Sequence, residues 1–428
     1  MDVDADRFCM PRPALEAAQR ARLGDLLARC RNSNAFQSRR LAGIAFDPAC
    51  DPLDRLPLTT RAEIEDDQAQ NPPYGSNLTF PLDCFTRMHQ TSGSRGVPMR
   101  WLDTPESWEW WKACWRAVYD AGGITPADRI VYPFSFGPFI GFWAAFEAGT
   151  ARGNLCLAAG GMHTSVRLRF LLDHAATVVC CTPTYALHLA ETAAAEGVDL
   201  AGSAVRALIV AGEPGGSIPA TRAKIEAAWG ARVFDHAGMT EIGAWGFETV
   251  ASPGGLFVNE REFIAEVIDS ASGAAVADGE LGELVLTNLG RTGSPLIRYR
   301  TGDLVRLRRV HGREECSFSF CEGGVLGRSD DLLFIRGNNV FPSAIESILR
   351  TVAEVMEYRV IVERRGALDE LRLDIERRPD CDAARTARAV QTALKSRFPF
   401  RIDVTVVEPG GLPRFEMKAK RIERRLVE

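Results

Sequence analysis

Leu208-Ile209-Val210-Ala211-Gly212-Glu213-Pro214 reads as an apolar strand that stops at a tight Ala-Gly-Glu-Pro turn. In open α/β sheets, ligands bind outside the carboxyl ends of the strands. Gly212, Glu213 and Pro214 are therefore candidate binding residues as well as fold markers. The same unit recurs upstream. Strand-like runs at 129–133, 155–159 and 176–181 alternate with helical stretches at 139–148, 165–174 and 185–196, and a further strand follows at 232–235. Strands alternating with helices of this length imply a parallel, helix-covered sheet.

Further out the texture changes. Residues 12–40 show helical periodicity through Leu15, Leu23, Leu26 and Leu27, and Thr59-Thr60-Arg61-Ala62-Glu63 has the hydroxyl-first, acid-later pattern of a helix N-cap. Residues 104–121 predict a helix with Trp108, Trp111 and Trp115 on one face, a stripe that reads as core. After residue 250, strands at 262–269, 280–288 and 304–310 are joined by glycine turns. A boundary falls at 327–331, followed by two strands around a turn, a helix at 382–398 and a strand at 402–407. The fold class expected is α/β. A large N-terminal domain, residues 1–328, carries helix-covered parallel sheets and a β-rich segment. A small mobile α+β domain, residues 329–428, follows.

Composition narrows the function. The chain has 428 residues, 46% hydrophobic and 25% charged, with a net charge of −5, which argues against nucleic-acid or anionic-membrane partners. No apolar run approaches the roughly 20 residues of a membrane span, and the acidic start MDVDADRFCMPRP has no signal-peptide core. The eleven cysteines are irregularly spaced and read as buried thiols of a reducing compartment, so a cytoplasmic location is expected. Cys316 and Cys321, near His311, come nearest to a metal cluster, but without the usual two-residue gap.

Several other segments carry chemistry. In Thr91-Ser92-Gly93-Ser94-Arg95-Gly96-Val97-Pro98, Gly93 and Gly96 free the backbone while Thr91, Ser92 and Ser94 offer hydroxyls; the loop is either a phosphate cradle or a plain turn. Asp235-His236-Ala237-Gly238-Met239-Thr240-Glu241 ends in two hard oxygen ligands suited to magnesium on a polyphosphate, with a capped helix start as the alternative reading. Asp303, after the Gly302 turn, suits the hydroxyls of a ribose. Pro413-Arg414-Phe415-Glu416-Met417-Lys418-Ala419-Lys420-Arg421 is, taken alone, a solvated basic face.

In this order the segments resemble those of the adenylate-forming ligases, the superfamily of acyl-CoA synthetases, luciferases and peptide-synthetase adenylation domains. Pro295-Leu296-Ile297-Arg298-Tyr299-Arg300-Thr301-Gly302-Asp303, Gly327-Arg328-Ser329-Asp330-Asp331, the run from Ile335 to Pro342, and Leu412-Pro413-Arg414 with Lys418-Ala419 are similar to the phenylacetate-CoA ligase branch. The resemblance covers roughly residues 20–425. It implies two half-reactions: an acid and ATP give an acyl-adenylate and pyrophosphate, and coenzyme A then displaces AMP.

The resemblance also implies roles. Thr91, Ser92, Gly93, Ser94 and Gly96 hold the outer phosphates. Gly212, Glu213 and Pro214, with Asp235, His236, Ala237, Gly238 and Met239, form the nucleotide site. Thr240 and Glu241 serve phosphate and magnesium, Asp303 and Arg328 the ribose. Asp330 is the hinge, and Lys418 bridges phosphate and carboxylate during adenylation. Phe134, Phe136, Phe139 and Gly161 are expected around an aromatic acid. His163 is either a partner for a substituent of that acid or an exposed loop residue.

The chain also departs from the branch. Arg95 stands where threonine is usual, Met99 lies past Pro98 without the lysine many relatives carry, and His236-Ala237 replaces an aromatic–glycine pair. The branch's Cys-x-Cys-Gly-Arg element has become Glu314 to Cys321, which argues against zinc. Expected cofactors are ATP, magnesium and coenzyme A. The acyl acceptor is coenzyme A or, alternatively, a carrier protein of a secondary-metabolite pathway, and a non-catalytic nucleotide-binding relative is a third reading. The branch often forms homodimers, and that expectation carries over.

Overall fold

The computed structural model describes residues 8–91, 97–309, 316–329, 331, 333–335, 338–365, 368–398, 400–415 and 419–426. Its centre is a twelve-stranded sheet. Five parallel strands form one half, in the spatial order Leu155–Ala158, Arg129–Tyr132, Val178–Cys181, Ala207–Ala211 and Arg232–Met239.

Successive side chains of a strand point to opposite faces, and here they feed two different cores. Ile130, Tyr132, Val178, Cys180, Ala207, Ile209 and Phe234 join the cluster that holds the tryptophan-rich helix Pro105–Ala121. Val131, Val179, Leu208, Val210 and Val233 join the cluster around helices Pro183–Ala195 and Pro219–Trp229 on the other side. A strand buried on both faces needs a continuous apolar run rather than an alternating one, which is why these segments read as they do.

The other half of the sheet is antiparallel, from Gly243–Phe247 out to Phe263–Ile268. Helix Arg12–Ser33 lays Leu23, Leu26 and Leu27 on this half against Ile264, Leu289 and Ile297. The periodic stretch 12–40 is not one helix: the Asn34 side chain accepts from Gln37 N and starts a second helix, Ala35–Arg40. Thr60 and Glu63 form the capping box expected of them. Thr104 caps the tryptophan helix by accepting from Ser107 N at 3.2 Å.

The C-terminal part builds its own four-stranded sheet, in the order Asp403–Val407, Leu368–Arg377, Val355–Arg365 and Ile422–Leu426. Helices Pro342–Leu349 and Ala383–Lys395 contribute Ile345, Leu349, Val390 and Leu394 to a separate core with Val360, Leu373 and Ile375. No helix of the described residues is long and apolar enough to cross a membrane, and none of the eleven cysteines is in a disulfide.

Candidate active site

The turn after Val210 opens at the carboxyl edge of the parallel strands. Gly212 sits at φ +92°, a conformation that favours glycine. Next to it, the segment 235–241 is not the start of a helix. The strand Arg232–Met239 runs on through it and folds back as a hairpin, pairing His236 with Phe247 and Met239 with Gly243. A shift in register between Ala237 and Gly238 bends the hairpin, and Thr240, Glu241 and Ile242 lie at its tip. A β-bulge re-aims side chains in this way beside a binding site.

Two cavities meet at this hairpin. The first, of about 220 Å3, is lined by Gly212, Glu213, Pro214, Asp235, His236, Ala237, Gly238, Met239, Asp303 and Arg328. Residues scattered over more than a hundred positions of sequence thus converge. Arg328 Nη1 lies 2.9 Å from Asp303 Oδ1, on two strands that pair Asp303 with Arg328. Asp235 is held by the Ser217 hydroxyl and by its own N–H to Glu248. Burial pushes the Asp235 carboxyl up to about 6 and that of Glu248 up to about 7, against the pull of Arg222.

The second cavity, of about 200 Å3, shares Gly212, His236, Gly238 and Met239 with the first. Phe134, Phe139, Phe142, Trp111 and Trp115 give it an aromatic lining. Two of the residues expected around the acid lie outside this lining. Phe136 does not line this cavity: its ring packs 5.0 Å from Trp143 and 5.4 Å from Phe146. Gly161 is an exposed turn residue at φ +75°, and His163 beside it is exposed as well. Trp111 and Trp115, by contrast, are core and lining at once. Their helical spacing signalled burial and gave no sign of the ligand side.

The small-residue loop connects strands Arg87–Gln90 and Arg100–Asp103, which pair antiparallel. Thr91 closes its mouth: its N–H donates to Met99 O at 3.0 Å, and its hydroxyl accepts from Met99 N at 3.1 Å. Gln90 N donates to Pro138 O at 2.8 Å, which ties this hairpin to the phenylalanine loop. Ser92, Gly93, Ser94, Arg95 and Gly96 lie outside the described residues, as do His311, Asp330 and Lys418.

Glu241 is buried and accepts from the Tyr299 hydroxyl at 3.1 Å. Thr240 and Glu241 also present their carbonyls to Arg291 Nη1, at 2.6 and 3.1 Å. Arg291 is a residue that sequence reading missed. Gly290, which precedes it, is required by packing, since a Cβ there would come within 2.1 Å of Trp110.

The C-terminal part reaches this site. Glu213 accepts from Thr184 N at 2.9 Å and from Ala419 N at 2.8 Å, and desolvation by burial raises its carboxyl against the pull of Arg421 and of these two donors. Arg421 donates to the Thr184 hydroxyl at 3.2 Å, and Arg414 lies 3.1 Å from Glu191. Pro342 and Ser343 complete the wall of the first cavity.

Comparison with known proteins agrees with this geometry. Residues 337–425 match the family model of the AMP-binding enzyme C-terminal domain. The phenylacetate-coenzyme A ligase of Escherichia coli (strain K12) is 30% identical over 380 residues, 86% of this chain and 84% of that protein. The solved structure of 2-hydroxyisobutyryl-CoA ligase with a 2-HIB adenylate, in the postadenylation state, superposes with a TM-score of 0.90 at 26% identity, covering 98% of this chain and 91% of that one. The same enzyme with the adenylate and CoA in the thioesterification state gives 0.73 at 27% identity over the same shares.

Proposed function

This chain belongs to the phenylacetate-CoA ligase family of adenylate-forming enzymes and is an AMP-forming acid–CoA ligase, and from that premise we propose that its acid is aromatic. The observation that carries the reading is the shared wall of the two cavities. An acid in the phenylalanine- and tryptophan-lined space would meet a nucleotide in its neighbour across Gly212, Gly238 and Met239. Aromatic walls favour a flat ring by offset and edge-to-face contact. ATP, magnesium and coenzyme A are the reaction's other components.

In this reading Asp303 and Arg328 orient the ribose, and Glu213 and Pro214 border the base. The acid's carboxylate attacks the α-phosphorus and pyrophosphate leaves. Such chemistry is mostly positioning and charge neutralisation. Glu241 and Thr240 offer hard oxygens of the kind magnesium takes, so they would hold the ion, which would neutralise phosphate charge. Lys418 would bring its point charge to the α-phosphate, and Lys418→Ala should abolish pyrophosphate exchange while ATP still binds.

Residues 1–328 and 329–428 would act as two domains about Asp330. The contacts of Ala419 with Glu213, and of Arg414 with Glu191, would break when the thiol half-reaction begins. The higher similarity to the postadenylation state than to the thioesterification state supports an adenylation-type arrangement here.

The test is a pyrophosphate-exchange panel of aromatic and aliphatic acids, with and without coenzyme A. Exchange with aryl acids and formation of aryl-CoA support the reading. Exchange confined to aliphatic acids would overturn the aromatic assignment. Adenylate without thioester in the presence of coenzyme A would point instead to a carrier protein as acceptor.

A further inference from the structure

The neutral imidazole of His236 has one nitrogen in use and one turned to the ligand space. Nδ1 stands 2.7 Å from Gly246 O. A carbonyl only accepts, so Nδ1 carries the hydrogen. Burial holds the imidazole down to about 4, so at neutral pH the ring has a single proton and Nε2 keeps a bare lone pair.

Nε2 faces Gly238, where a Cβ would stand 3.4 Å from it, and Gly238 belongs to both cavities. The ring itself lies on Trp115, with centroids 4.3 Å apart. His236 lines both cavities, and its packing partner Trp115 borders the aromatic cavity and not its neighbour, so the imidazole has a share in the acid side. Among the described residues no protein donor reaches Nε2. An acceptor in a largely apolar cavity discriminates strongly, because a ligand without a donor leaves it unpaired.

We infer that His236 is a specificity determinant of the acid cavity, accepting a hydrogen bond from a hydroxyl or amino substituent on the acyl ligand. The inference rests on the assignment of that cavity to the acid. It gives His236, expected among the nucleotide-site residues, a role toward the acid as well. It also gives the departure from the family's aromatic–glycine pair a purpose.

Pyrophosphate exchange with matched acids tests it. Hydroxyl, amino, methyl and methoxy groups are compared at the same ring positions, and 2-hydroxy aliphatic acids with their deoxy counterparts. The wild type should favour hydroxyl and amino acids over methyl and methoxy ones by about tenfold in kcat/KM. Methoxy accepts but does not donate, so it separates donor readout from mere polarity. His236→Phe, which keeps a ring on Trp115, should erase the preference, and His236→Gln should retain part of it.

Equal use of all four substituents by the wild type would sink the inference without any variant. A raised ATP KM in His236→Phe with an intact acid preference would also overturn it, returning Nε2 to the nucleotide. A donor preference confined to the aliphatic pairs would uphold His236 while removing the aromatic assignment, so the two failures are distinguishable.

Discussion

Asp103 and Arg291 form a two-point ion pair with both side chains fully buried, Nε to Oδ1 at 2.8 Å and Nη2 to Oδ2 at 2.6 Å. Asp103 ends the strand that follows the small-residue loop, and Arg291 holds the carbonyls of Thr240 and Glu241. The pair therefore ties together two segments that the proposed function gives to phosphate binding. Its guanidinium also lies 5.4 Å from the ring centres of both Trp101 and Trp111.

Removing one partner of such a pair strands a buried charge, at a cost of about 3–5 kcal/mol. Asp103→Ala should lower unfolding free energy by that order, and a double Asp103→Leu, Arg291→Met variant should recover part of the loss. Urea unfolding followed by tryptophan fluorescence reads both. A single variant within about 0.5 kcal/mol of wild type would mean that the pair is not structural.

Glu213 should matter to one half-reaction more than the other. Its bond to Ala419 N holds the C-terminal segment against the large part of the molecule. Losing one such bond costs about 1 kcal/mol, or roughly fivefold. Glu213→Ala should slow pyrophosphate exchange by that order and change CoA attack on a supplied acyl-adenylate less. Glu191→Gln, which weakens the contact with Arg414, should act in the same direction. Equal losses in both steps would contradict the assignment.

His89 and His236 make the fold sensitive to acid. Burial lowers both to about 4, with Arg291 and Arg87 adding repulsion at His89. The unfolded chain takes up these protons near 6.5 and the native chain does not. Stability is therefore intact above 6.5 and is lost progressively as pH falls through 4, by up to about 3 kcal/mol for each histidine. His89→Phe preserves an aromatic ring on Trp108, which His89 stacks at 5.2 Å, and removes one titration. Unfolding midpoints at pH 7.5, 5.5 and 4.5 should fall less steeply in the variant than in wild type.

Much of the architecture was legible because local chemistry and tertiary position coincide. Leu208 to Ala211 has no polar side chain because both faces of that strand are buried, and Gly212 ends it where the ligand space begins. The hairpin at 232–247 was harder to read. Residues 233–236 are all buried, so no period of two shows, and the hydroxyl and acid at 240–241 imitate a helix cap. Arg291 left no pattern because its partner is 188 residues away. The tryptophan helix misled in another way: Trp111 and Trp115 serve the core and the cavity with the same face.

Ala244 offers the most direct handle on the second cavity. It lies on the strand Gly243–Phe247, is 2% exposed, and lines the aromatic space but not the nucleotide space. A leucine there would project its branched end into a volume of only about 200 Å3. Relief by backbone movement is limited, because the strand is paired on both sides, to Arg232–Met239 and to Gly255–Val258. Ala244→Leu should raise KM for ring-bearing acids by about tenfold or more and leave ATP KM near its wild-type value. Smaller acids should lose less, so the ratio between small and large acids is the sensitive readout. An unchanged ratio, in a variant whose unfolding transition matches wild type, would show that the acid binds elsewhere.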